Sequence, residues 1–109
     1  MITAYVKRDN KKSVVEYRIT GHANCGEYGR DVVCSAVSVL AQAIIIGLTK
    51  TMGIKPDYSI DGGDLYCAIP PLDEKRRREA DLLLDTMFYT LKSIRDSYPE
   101  NISIFETEV

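Results

Sequence analysis

Residues Val32 to Leu48, VVCSAVSVLAQAIIIGL, carry no charged side chain. Asp31 before this run is a good N-cap, and Gly53 after Met52 is a stop signal, so the segment is predicted to be a helix from Asp31 to about Thr49. It is apolar almost all round, which predicts a central, buried helix. Val32, Val33 and Ile44 to Ile46 are β-branched and lower its intrinsic propensity, so burial must hold it in shape. Such a helix folds only against an apolar surface supplied by the rest of the chain.

That surface is legible as strands. Ile2 to Lys7 alternates with Ile2, Ala4 and Val6 on one face, and Ser13 to Thr20 alternates through Val15, Tyr17 and Ile19. The polar stretch Asp9 to Lys12 between them reads as a hairpin turn, and Gly21 ends the second strand. Asp57 to Asp61 and Leu65 to Ile69 flank Gly62-Gly63, a second tight hairpin closed by Pro70-Pro71. Asp73 caps a second helix to about Ser97, whose stripe runs from Ala80 through Leu84 and Leu91 to Tyr98, and Pro99 stops it. Asn101 to Glu106 supplies a last short strand. The order ββαββαβ predicts an α+β fold, a mainly antiparallel sheet packed against two helices.

The 109 residues make one domain, 1–109, large enough to bury a core without staples. Net charge is −2 and uneven: residues 1–55 hold eight Lys/Arg against four Asp/Glu, residues 56–109 six against twelve. A general nucleic-acid binder is not expected at that balance, so no direct nucleic-acid partner is predicted. The N-terminus lacks a signal-peptide layout, and the apolar run, interrupted by Ser35, Ser38 and Gln42, is expected to fall short of a membrane span. Three unpatterned cysteines suit a reducing cytoplasm. One histidine and no C-x-x-C predict no zinc site, and no cofactor or metal is expected.

The only histidine, His22, stands twelve residues before Cys34, which opens the apolar helix. A thiol attacks as its thiolate, favoured by a neighbouring imidazole and by a helix N-terminus. The loop between them carries Gly26 and Gly29 and can fold back to join the two side chains. A Cys-His hydrolase follows, with Cys34 as nucleophile and His22 as general base. Asp31 either orients His22 or only caps the helix. Ser38, one turn past Cys34, either reaches the site or bonds back to the Cys34 carbonyl. Gly21 and backbone N–H groups near Cys34 are candidates for an oxyanion hole. Cys67 reads as core, and Cys25 as a bystander able to pair with Cys34 on oxidation. The run Lys75 to Arg78 reads as a solvated helix face, with Lys75–Glu79, Arg77–Asp81 and Arg78–Asp81 in pairing range. Tyr5, Tyr17, Tyr58, Tyr66 and Tyr89 read as sheet and helix surface.

At Gly21-His22-Ala23, Gly26-Glu27-Tyr28-Gly29 and Asp31-Val32-Val33-Cys34-Ser35-Ala36-Val37-Ser38 the chain resembles the ribosomal-processing cysteine proteases (Prp) of Firmicutes and relatives. The resemblance covers nearly the full length. It implies an endopeptidase that removes the N-terminal extension of a large-subunit ribosomal protein and works as a homodimer. It implies Cys34 as nucleophile, His22 as its partner, Asp31 and Ser38 as supporting residues, and Gly26, Glu27, Tyr28 and Gly29 as a mobile cover that gates substrate. The chain departs from the family pattern at Asn24-Cys25, where no thiol is expected. Two other classes fit the same residues: a thioesterase-like hydrolase on the same dyad, and a non-catalytic ribosome-associated binder using Arg76 to Arg78.

Overall fold

The computed structural model describes residues 1–21 and 30–109, with side chains described from residue 32 onward in the second range. Its elements are β1 (Ile2–Arg8), β2 (Val14–Thr20), α1 (Arg30–Ile46), β3 (Asp57–Asp61), β4 (Asp64–Ala68), α2 (Glu74–Ser97) and β5 (Ile102–Glu108). The sheet order is β3-β4-β2-β1-β5. Both hairpins and the β2–β4 pair are antiparallel, whereas β5 lies parallel to β1. The α+β fold and element order match the sequence expectation. The parallel pair arises because α2 separates β5 from the strands before it, and a helical crossover delivers a strand in the same direction.

Alternation sets the core as anticipated except at Val15: the register shift between Lys7 and Arg8 passes over it and buries Val14 instead. Ile2, Ala4 and Val6 of β1, Tyr17 and Ile19 of β2, Leu65 and Cys67 of β4 and Ile102 of β5 are buried against the helices. Tyr17 corrects the reading of the tyrosines as surface: it is 1% exposed, and its hydroxyl donates to the Ala41 carbonyl of α1 at 2.9 Å. Asp73 caps α2 as expected, its Oδ1 accepting from the Arg76 amide at 2.8 Å.

α1 begins at Arg30, so Asp31 lies inside the helix rather than at its cap. It ends in a π-helical turn, Gly47–Thr51, whose Met52 amide bonds back to the Gly47 carbonyl at 2.9 Å. Gly47 sits at α2: a Cβ there would come within 3.1 Å of Leu83 Cδ1. By length and composition Val32–Thr51 does reach what a membrane crossing needs, which corrects the expectation that it falls short. In the fold, however, Val33, Val37, Ala41, Ile44, Ile45 and Leu48 are packed into the core. Only that face is covered. Val32, Val39 and Ile46 on the opposite face are 51%, 67% and 58% exposed, so α1 is buried on one side rather than all round.

Arg8 continues the core face of β1 with a guanidinium in an apolar position, which the sequence reading overlooked. It is 8% exposed and donates to Asp85 of α2 (2.9 Å), to Glu106 of β5 and to the Lys12 carbonyl (2.7 Å). Its guanidinium carbon lies 4.8 Å from the Phe88 ring centre. These bonds tie strand, helix and final strand together. Because Asp85 and Glu106 are nearly half exposed and can rehydrate, Arg8→Ala is expected to cost about 2 kcal/mol, below the figure for a fully buried pair. A denaturant titration of the two proteins measures it.

Candidate active site

Cys34 is the fifth residue of α1, just past its first turn, deeper than a cap at Asp31 would set it, and near enough to the positive end of the helix dipole to favour a negative sulfur. It is 6% exposed, beside the fully buried Val33 and Val37. In this structure its sulfur is disulfide-bonded. Cys67 is the free, buried cysteine among the described residues. A sulfur in that state is no nucleophile, so reduction must precede any attack on a carbonyl.

Ser38 stands one turn further on, where its hydroxyl accepts from Gln42 Nε2 at 2.9 Å. α1 therefore brings Cys34 and Ser38 onto neighbouring turns, as the spacing predicts. Gly21 holds the other end of the intervening segment. Its amide donates to the Gly63 carbonyl in the β3–β4 turn at 3.0 Å, its φ is +87°, and a Cβ would sit 2.3 Å from the Met1 carbonyl oxygen. The chain thus leaves β2 through a point pinned by β4 and by the N-terminus. His22, Cys25, Gly26, Glu27, Tyr28 and Gly29 lie outside the described residues, as does the Asp31 side chain. The readings placed on them, the expected mobility of the loop and Cys25–Cys34 pairing included, therefore remain expectations.

The basic run of α2 behaves as a helix face. Arg77 is half-buried, pairing with Asp81 (Nε to Oδ1, 2.9 Å) and donating to the Val14 carbonyl at 2.9 Å. Lys75, Arg76 and Arg78 are exposed, and of the three expected pairs only Arg77–Asp81 forms among the described residues. A groove of about 650 Å³ between the β1–β2 turn and the start of α2 includes Arg77 and Arg78 but neither Cys34 nor Ser38. No group of three metal-binding side chains occurs among the described residues.

Cys67 faces Tyr17 inside the sheet–helix core. Burial pushes the Cys67 thiol up to about 11, against a partial lowering by its bond to Tyr17. Burial, with Cys67 adjacent, pushes the Tyr17 hydroxyl well above the usual tyrosine range. Both hold their protons more tightly folded than unfolded. The Cys67 contribution is complete below the ionisation of a free thiol, about pH 8.5, and is lost as pH rises toward about 11, whereas that of Tyr17 begins to be lost only above about pH 10. Denaturation midpoints between those limits should fall with pH, and Cys67→Ala should flatten the slope.

The profile of the family described as Cysteine protease Prp matches residues 1–103. A relative from Bacillus subtilis, named ribosomal processing cysteine protease Prp, is 33% identical over 107 residues, covering 95% of this chain and 96% of its own. The Staphylococcus aureus protease Prp, solved with a substrate peptide, superposes with a TM-score of 0.86 at 29% identity, over 97% of this chain and 99% of that one. The same protease with a covalently linked product peptide gives 0.81 at 26% identity, again over 97% and 99%. The match takes in the segment from Gly21 to Ser38 and the five-stranded sheet with its two helices, and the chain belongs to the Prp family of ribosomal-processing cysteine proteases.

Proposed function

We propose that this chain removes the N-terminal extension of a large-subunit ribosomal protein by nucleophilic attack from Cys34. The observation that carries the reading is Cys34 near the N-terminal end of α1, inside a family match spanning residues 1–103. The Cys34 thiolate adds to the scissile carbonyl, His22 gives its proton to the departing amine, and a thioester remains on Sγ. Water, deprotonated by His22, then releases the new carboxylate and restores the thiol. A product peptide held covalently by the related Staphylococcus aureus protease supports a covalent intermediate. Asp31 and Ser38 steady the pair. Gly21 fixes the strand exit from which His22 follows. Gly26, Glu27, Tyr28 and Gly29 form the cover that opens for substrate. The enzyme works in the cytoplasm, as a homodimer.

The test is mass spectrometry of the candidate ribosomal protein after mixing with the reduced enzyme. Loss of the N-terminal extension, absent with Cys34→Ala, supports the reading. An intact ribosomal protein beside rapid turnover of a thioester panel would replace peptide cleavage with thioester hydrolysis.

A further inference from the structure

The five strands form one sheet whose alternate side chains pack on the helices, so the remaining set faces outward. Register lines up one row across that outer face. Tyr5 of β1 stands between Phe105 of β5 and Arg18 of β2, Arg18 stands opposite Tyr66 of β4, and Tyr66 opposite Ser59 of β3. Five strands make the row about 19 Å long. Tyr5 and Phe105 stack with ring centres 5.6 Å apart, and both are about half exposed. The row already holds a cation of the chain itself. The Arg18 guanidinium carbon lies 4.9 Å from the Tyr66 ring centre, and its Nη1 donates to Asp64 at 2.8 Å. A ring face beside a carboxylate is a good receptor for a guanidinium.

The β3–β4 flank of the same face is acidic. Asp57 stands opposite Ala68 and Asp61 opposite Asp64, on the side that bears Tyr66. Lys7 pairs with Glu16 and Arg18 with Asp64, while among the described residues no cation closes on Asp57 or Asp61. The Tyr66 hydroxyl donates to Glu16 at 3.0 Å. That bond and the charges of Glu16 and Asp57 push its ionisation up, the sign of a negative potential over the face. Rings in a row can stack bases, but a nucleic acid needs cations for its phosphates, and these carboxylates repel them. The complementary partner is a basic polypeptide.

We propose that this outer face docks the basic body of the ribosomal protein whose extension is removed, its lysines and arginines lying over the rings and beside Asp57 and Asp61. The proposal rests on the cleavage reading above and names a second contact for the same substrate. A protein that holds ribosomal RNA carries cations for the phosphates, so it matches this face in charge. The face also ends in the right place. Between Asp61 and Asp64, the Gly63 carbonyl accepts the Gly21 amide at 3.0 Å, at the point where the chain runs on toward His22. Residues that follow the scissile bond then start beside the acidic flank and cross the sheet. Docking there raises the local concentration of the extension without touching the reacting atoms.

Binding is read with the reduced enzyme and the candidate ribosomal protein lacking its extension, so that no cleavage intervenes. The variants are Asp57→Lys with Asp61→Lys, Tyr5→Ala with Phe105→Ala, and Glu79→Lys with Asp96→Lys, which makes the same charge change at exposed positions of α2. The two sheet pairs should raise the dissociation constant about 10-fold or more, and the α2 pair should leave it within about twofold. With the uncut substrate the sheet pairs should raise KM and leave kcat unchanged. A short peptide spanning the cleavage site should be cut at the wild-type rate by every variant, which also reports an intact fold. Asp57 and Asp61 lie on the exposed edge strand, so that pair decides the matter even if loss of the stacked rings destabilises the other. Absence of binding, binding that survives both sheet pairs, or equal weakening by the α2 pair overturns the docking face. Single-stranded RNA bound through Tyr5 and Phe105 in place of the protein overturns its occupant. A ribosomal protein that binds at this face and stays uncut would sink the cleavage reading and leave the docking standing.

Discussion

Cleavage of the ribosomal-protein extension should fall by at least about 10⁴-fold when Cys34 is replaced by alanine, with substrate affinity little changed. The size of the effect follows from the chemistry. Without the sulfur no thioester can form, and the remaining helix-end amides can only polarise a carbonyl for attack by water. Cys34→Ser should lose nearly as much, because a hydroxyl is far harder to deprotonate than a thiol beside an imidazole. His22→Ala should also slow alkylation of reduced Cys34 at neutral pH, since the imidazolium holds the thiolate. Single-turnover kinetics and iodoacetamide labelling measure the two effects separately. Full retention of activity in Cys34→Ala would remove this residue from the reaction, and an unchanged alkylation rate would remove His22.

The second large effect is structural. Gly21→Ala meets two obstacles at once: φ of +87°, which a side chain resists, and a backbone oxygen 2.3 Å from the new Cβ. The Met1 carbonyl is joined to Ile2, the first residue of β1, whose amide donates to the Asn101 carbonyl at 3.0 Å, so it cannot retreat without loosening the sheet. The expected loss is about 3 kcal/mol, visible as a fall in Tm of roughly 12 °C or more. Gly62→Ala is the control. Its φ is +57° but nothing lies within 4 Å of the added Cβ, so it should cost only about 1 kcal/mol. Equal losses in the two variants would show that the Met1 contact has no consequence.

Much of the fold could be read from periodicity, because side-chain alternation and helical spacing are local properties. β1, β2, the Gly62-Gly63 hairpin and α2 with its Asp73 cap follow from residues no more than a few positions apart. The site was legible in a different way. Cys34 near a helix start and Ser38 one turn on are a matter of spacing; α1 keeps that spacing but begins at Arg30, which sets Cys34 deeper than an Asp31 cap implies. Gly21 was chosen as an oxyanion candidate; its geometry gives it a structural duty that the sequence did not announce.

Arg8 was missed because its partners Asp85 and Glu106 lie 77 and 98 residues away, and nothing local marks a cation that folding will enclose. Lys75–Glu79 had the right spacing and no close pair forms, since exposed charges gain as much from water as from each other.

The sequence by itself determined the elements, their order and the residues able to do thiol chemistry, because propensity, alternation and nucleophilicity reside in single side chains and their near neighbours. Only the tertiary structure decided that β5 returns parallel to β1, that Arg8 is enclosed, and that α1 buries one face and leaves the other open. One sheet and one neighbouring helix can cover only part of a cylinder, so an all-round apolar helix in a chain of 109 residues keeps an uncovered side.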